Sequence, residues 1–184
     1  MRQLSGVSNG ANNRPDHPLK LFQKIIDALI VHAKEEAPNE CCGLLGGQDG
    51  VIHQVYPIAN LPSQDPMVFA LQVPDDRRVR YVMDPKGQLL AQKQMRQTSM
   101  DLMGIYHSHP HSPAYPSATD VRLAFYPEVY YLIVSLGHGN NGENGKLPQV
   151  MAFRIVEQKV TPEPIEILPE PSGPQTPLGD SGNS

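Results

Sequence analysis

Cysteine is scarce in this chain, and long apolar runs are missing altogether. Two cysteines occur among 184 residues, side by side at Cys41 and Cys42, so no disulfide framework can form within the chain. A reducing, cytoplasmic setting is therefore expected. Neighbours on a strand point to opposite faces, so each thiol is expected to pack separately. No apolar stretch approaches the roughly 20 residues needed to cross a bilayer. Residues 1–13 also lack the apolar centre of a secretory signal. No membrane association is expected. Excess basic charge is absent too: net charge is −4, and the densest basic group is Arg77-Arg78-Val79-Arg80. That argues against a nucleic-acid partner.

What remains is one domain. A chain of this length can bury a substantial core but is too short for two domains of ordinary size. Residues 5–13 are rich in Ser, Gly and Asn, and residues 169–184 in Pro, Gly and Ser, with almost nothing apolar to bury. The reading is a disordered tail over 1–17, a folded domain over 18–168 and a disordered tail over 169–184. No internal repeat is evident.

Within the domain, Leu21, Phe22, Ile25, Ile26, Leu29 and Ile30 recur at helical spacing, with Pro18 in the first turn and Pro38 at the stop. His32 on this helix is expected at its surface or boundary. Residues 41–45 and 51–58 read as strands of a hairpin turning at Asp49-Gly50. His53 is read as structural. Residues 68–73 are expected to be a strand. Asp84-Pro85 looks like a cap and first position of a polar helix over 86–98. Strands are expected over 102–106, 129–136, 150–156 and 160–168, with a short helix over 117–125 and a loop over 137–148 that carries His138. Helices and strands alternate, so the fold class is α/β, a mixed sheet flanked by helices.

The chemistry concentrates at His107-Ser108-His109-Pro110 and Pro116-Ser117-Ala118-Thr119-Asp120. Histidines two apart on a strand project from one face, so both imidazoles can reach one metal ion. Asp120, eleven residues beyond His109, can add an oxygen ligand. Two histidines and a carboxylate leave a fourth tetrahedral corner open, as catalytic zinc requires. Each half has an ordinary explanation: His-x-His arises by chance, and Ser117 with Asp120 makes a common helix N-terminus. Together with an upstream acid, Glu40, they form a specific pattern. By spacing alone Glu40 is an exposed loop acid. His111 and Ser112 are expected at the rim of the site, with Pro110, Pro113 and Pro116 stiffening the loop. Two other His-x-His architectures fit less well. A cupin needs a Glu shortly after the second histidine, and 112–115 hold none. An iron oxygenase of the two-histidine, one-carboxylate kind needs an acid at position 109.

These residues resemble the JAMM (MPN+) zinc metallopeptidases. Glu40 before Cys-Gly-Leu-Leu-Gly, His107, His109, Ser117 and Asp120 match that family's five motif positions. Gly104-Ile105-Tyr106, Pro116 and Asp84-Pro85 agree in the flanks. The resemblance covers about residues 19–168 and is closest to compact, stand-alone prokaryotic members. Residues 63–79 are longer than expected for such a member, and 68–73 are the part expected to touch a substrate protein. The resemblance implies a cytidine-deaminase-like MPN domain and hydrolysis of a peptide or isopeptide bond. The scissile bond would follow the C-terminal Gly-Gly tail of a ubiquitin-like protein, sulfur carriers being the substrates of some prokaryotic members. It assigns His107, His109 and Asp120 to Zn2+, Glu40 to proton transfer and Ser117 to steadying the tetrahedral intermediate. The competing reading is a non-catalytic MPN-type scaffold, which typically lacks the ligands.

Overall fold

In a computed structural model, residues 18–137 and 147–170 are described. The expected tail over 1–17, residues 171–184 of the expected tail over 169–184, and His138 with most of its loop lie outside them. The elements in chain order are β1 (Leu19–Phe22), α1 (Gln23–Glu36), β2 (Cys42–Gln48), β3 (Val51–Ile58), α2 (Pro66–Ala70) and α3 (Pro85–Gln97). They continue with β4 (Asp101–His109), α4 (Ala118–Arg122), β5 (Tyr130–Ser135), β6 (Gln149–Val156), β7 (Lys159–Glu163) and β8 (Ile165–Leu168). Among the described residues the strands form one mixed sheet in the order β7-β6-β5-β4-β2-β3-β1-β8.

Alternation along the central strands builds two cores. Tyr106, Leu132 and Val134 join Ile25, Leu29 and Ala33 of α1 on one face. Ile105, Tyr131 and Ile133 join Ala91 and Met95 of α3 on the other. The adjacent cysteines divide in the same way, Cys41 into the first core and Cys42 into the second. Both are free and buried, as expected for packing residues. No helix among the described residues is long and apolar enough to cross a membrane.

Several local signals act as expected. The β2–β3 hairpin turns through Asp49 and Gly50, both at positive φ (52° and 78°), which suits the right-handed twist of the flanking strands. Asp84 caps α3 by accepting from the Lys86 and Gly87 amides, with Pro85 at the first position. His32 is half-buried, its Nδ1 2.9 Å from the Tyr106 hydroxyl.

Three expectations are corrected. The first helix begins at Gln23 rather than near Pro18, because Leu19 to Phe22 pair in parallel with β8, and Lys20 and Leu21 also with β3. Residues 68–73 are not a strand. Asp65 caps Met67 N, Pro66 takes the first helical position, and the short α2 follows. The last strand is divided at Pro164. β7 pairs with β6, whereas β8 pairs with β1 at the other end of the order. One residue spans only a few ångströms, so the sheet curls until its two ends are neighbours.

Gly43 is required by close packing. A Cβ there would sit 2.6 Å from Tyr106 Cε1 and would also strike the Tyr56 carbonyl. Gly43→Ala is expected to cost about 1–3 kcal/mol, the usual penalty of overpacking a core, read as a lower midpoint in denaturant. An unchanged midpoint would show that the sheet yields there.

Candidate metal centre

The site forms where β4 leaves the sheet. β4 and β5 run parallel, with His107 opposite Ile133 and His109 opposite Ser135. His107 and His109 project from the α3 face, and the loop after β4 brings α4 across them. Asp120 enters at the first turn of α4 through a capping box. Its Oδ2 accepts from Ser117 N at 2.6 Å, and its own N–H donates to Ser117 Oγ at 3.2 Å. The helix cap and the ligand-like carboxylate are therefore one feature, since the hydrogen bonds that start α4 also aim Asp120.

The three side chains converge. His107 Nε2 and His109 Nε2 are 3.0 Å apart, and Asp120 Oδ2 lies 3.4 and 3.5 Å from them. Ligands at about 2.0–2.1 Å from a tetrahedral ion are separated by about 3.3–3.4 Å. The triangle thus has the edges of a tetrahedron's base, and a metal fits it. Among the described residues this is the one group of three or more His, Cys, Asp or Glu side chains so placed. His109 Nδ1 lies 2.9 Å from the Pro113 carbonyl, so Nδ1 carries the proton and Nε2 keeps its lone pair for a ligand. Tyr81 stacks on the His107 ring at 4.5 Å between centroids.

The electrostatics suit a cation-binding site. Burial tends to raise the Asp120 carboxyl, but His107, followed by hydrogen bonds from His107, His109 and Ser117, outweighs it and holds the group far below the usual carboxylate range. Burial lowers His109, yet the Asp120 hydrogen bond and the Glu40 charge raise it overall.

Glu40 is buried beside this triangle, its Oε1 4.0 Å from His109 Nε2. By spacing it was an exposed loop acid. The fold buries it, and burial pushes its carboxyl up to about 8. Its Oε2, like His107 Nδ1, is buried without a hydrogen-bond partner. Ser117 is exposed, and its hydroxyl oxygen accepts the cap bond from Asp120 N, which leaves its hydrogen out of the cap. His111 and Ser112 are exposed on the intervening loop.

Sequence reasoning missed Ser108, Asn60 and Arg80. Ser108, between the two histidines, accepts from Cys41 N at 2.8 Å. Asn60 Nδ2 donates to the Glu40 carbonyl at 2.9 Å, and Arg80 Nη1 donates to Asn60 Oδ1 at 2.8 Å. One signal was available for Arg80: it leads directly into Tyr81, Val82 and Met83, a largely apolar run that suggests burial. Within the segment expected to touch substrate, Val68 is buried, while its neighbours Met67 and Phe69 are exposed.

Comparisons with known proteins agree with the geometry. The family described as prokaryotic homologs of the JAB domain matches residues 22–155. A CysO-cysteine peptidase of Mycobacterium bovis is 32% identical over 145 residues, covering 78% of this chain and 87% of that protein. A desampylase of Haloferax volcanii is 32% identical over 123 residues, covering 64% of this chain and 80% of its own. A solution structure of a protein from Desulfitobacterium hafniense aligns with a TM-score of 0.65 at 39% identity. That alignment covers 82% of this chain and 93% of the other.

Proposed function

This chain belongs to the prokaryotic JAB-domain family of JAMM-type hydrolases, and we propose that it is a zinc-dependent peptidase acting on ubiquitin-like sulfur-carrier proteins. The bond cut joins the carrier's C-terminal Gly-Gly tail to an amine, as a peptide or isopeptide. The observation that carries this reading is the His107–His109–Asp120 triangle with a buried acid at its side. Support for the substrate class comes from the relatives, a CysO-cysteine peptidase and a desampylase. The two free, buried thiols suit a reducing cytoplasm.

His107, His109 and Asp120 would hold the ion, and a donor set of two nitrogens and one oxygen suits zinc. When bound, zinc supplies Lewis-acid activation of water and of the scissile carbonyl. The chain's own groups do the rest. Glu40 takes the proton of the attacking water on its carboxylate and returns it to the leaving nitrogen. The Ser117 hydroxyl donates to the oxygen that gains charge as the carbonyl becomes tetrahedral. The Ser117–Asp120 capping box keeps that hydroxyl and the carboxylate in one frame.

A scaffold domain would not need this arrangement. Burying two histidines and two acids, with Glu40 Oε2 and His107 Nδ1 unpartnered, costs stability. Such a cost is characteristic of functional sites.

The test uses full-length protein and a ubiquitin-like sulfur carrier whose Gly-Gly end is extended by one residue or a short peptide. Mass spectrometry should show the carrier trimmed back to Gly-Gly. A chelator should abolish the reaction, and added zinc should restore it. Uptake below ~0.1 zinc per chain after supplementation would instead favour a scaffold, because sites of this kind normally hold zinc well.

A further inference from the structure

Glu40 has no regular element to hold it, since it lies two residues before β2 begins. Its backbone is fixed by contacts from far along the chain. The Glu40 N–H donates to the Arg77 carbonyl at 2.8 Å, and its carbonyl accepts from Asn60 Nδ2 at 2.9 Å. The next residue, Cys41, exchanges two bonds with Ser108: its N–H donates to Ser108 Oγ at 2.8 Å, and its carbonyl accepts from Ser108 N at 3.0 Å.

The Asn60 amide can make its bond to Glu40 in only one orientation. Its Oδ1 accepts from Arg80 Nη1 at 2.8 Å and from Val82 N at 3.0 Å. Two donors converging on one atom identify it as the oxygen, so Nδ2 must face the carbonyls of Glu40 and Arg80. Arg80 is itself a costly residue at this place. It is 1% exposed, and its guanidinium donates to Asn60 Oδ1, the Leu61 and Pro74 carbonyls and Ser63 Oγ. Among the described residues no carboxylate forms an ion pair with it. A buried cation satisfied by neutral acceptors is a weak source of stability, so a positional role is the better account of it.

We propose that Asn60 and Arg80 are positioning residues for proton transfer: Arg80 locks the Asn60 amide, and the locked amide holds the Glu40 backbone beside the two histidines. The inference rests on the reading of Glu40 as the proton carrier. Neither residue touches the metal ligands, and the direct route from the pair to the site is the Asn60 bond to the Glu40 carbonyl; an effect through Tyr81, which stacks on His107, would show in zinc content instead. A misplacement of about 1 Å in such a group can cost on the order of 10²-fold in rate.

Asn60→Asp and Arg80→Lys test this in the full-length, zinc-loaded protein with the extended carrier. Asn60→Asp keeps the acceptor oxygen for Arg80 and Val82, loses the amide donor, and turns a carboxylate oxygen toward the Glu40 and Arg80 carbonyls. Arg80→Lys keeps the charge and loses the fork. Each should lower kcat by roughly 10–100-fold, the range for partners one step removed from a metal site, with KM and zinc content unchanged. In a Glu40→Gln background the same substitutions should cost nothing further. An additive loss there, or a loss that tracks zinc content, overturns the proposal, since it would mark a purely structural role. Full activity of Glu40→Gln by itself would sink the proton-carrier reading instead. Hydrogen exchange on metal-free protein gives a check that is independent of turnover. In wild type the Glu40 and Cys41 amides should be as protected as strand amides, and in Asn60→Asp they should exchange faster while the His107 and His109 amides do not. Rapid exchange of Glu40 and Cys41 in the wild type overturns the proposal even if neither variant folds.

Discussion

Replacing Glu40 by glutamine should leave the metal in place and remove nearly all activity. The side chain lies 4.0 Å from His109 Nε2, outside the 3.0–3.5 Å triangle formed by the three ligand atoms. Glutamine matches its shape but cannot take up a proton from water. A positioned acid–base group is worth on the order of 10²–10⁴ in rate, so kcat should fall by that factor at unchanged zinc content. Wild-type turnover in the variant would remove Glu40 from the reaction, and loss of zinc would make it a ligand.

The same substitution should act in the opposite sense on stability. In the metal-free protein, burial first and the Asp120 charge in support raise the Glu40 carboxyl from 4.5 to about 8, against the lowering effect of His109 and Arg80. Between those values the unfolded chain is ionised while the folded one retains its proton. Folding then takes up a proton, and stability falls as pH rises across the window. Metal-free Glu40→Gln escapes this penalty and should be more stable than metal-free wild type at pH 7 by about 1–3 kcal/mol. Chemical denaturation of the two chelated proteins at pH 5 and pH 7 checks the sign, because the gap should widen at the higher pH. A gap that narrows would mean the carboxyl is already ionised in the folded state.

The metal-ligating pattern was legible in the sequence because its logic is local. Histidines two apart on a strand share a face without help from the rest of the fold, and Ser117 with Asp120 makes a helix start from neighbouring residues alone. The same holds for the Asp49-Gly50 turn and the Asp84-Pro85 cap. Asp65-Pro66 follows the same grammar as Asp84-Pro85 and announces α2, so the strand expected over 68–73 overlooked a signal that was present. The other errors arose from distant partners. Leu21 and Phe22 fit a helical stripe as well as a strand, and the choice is made by pairing with Ile167 and Leu168, nearly a chain length away. Pro164 looks like an ordinary interruption until β7 and β8 are seen to pair at opposite ends of the sheet order. The Glu40 backbone is met by Asn60, which Arg80 holds in turn, and nothing local to residues 60 or 80 connects them to residue 40.

Asp120→Asn should abolish zinc-dependent stabilisation along with activity. Asparagine keeps an oxygen for the Ser117 amide, so the start of α4 survives and the loss of a ligand is separated from the loss of a cap. What disappears is the anion that faces both imidazoles at 3.4 and 3.5 Å. Without it, the ion would meet two neutral nitrogens and the single buried acid at Glu40. An ion that binds only the folded state stabilises wild type by about 2.7 kcal/mol at a hundredfold excess over its dissociation constant. In a protein of this size that raises Tm by roughly 5–11 °C, at about 2–4 °C per kcal/mol. The variant should show no such rise. Its turnover should fall by on the order of 10³-fold or more, since Lewis-acid catalysis contributes several kcal/mol and each 1.4 kcal/mol is about tenfold. Melting curves with zinc and with chelator, run on both proteins, decide the matter. An Asp120→Asn variant that still gains the wild-type increment from zinc would show that the ion is bound elsewhere, and the triangle would lose its role as the metal centre.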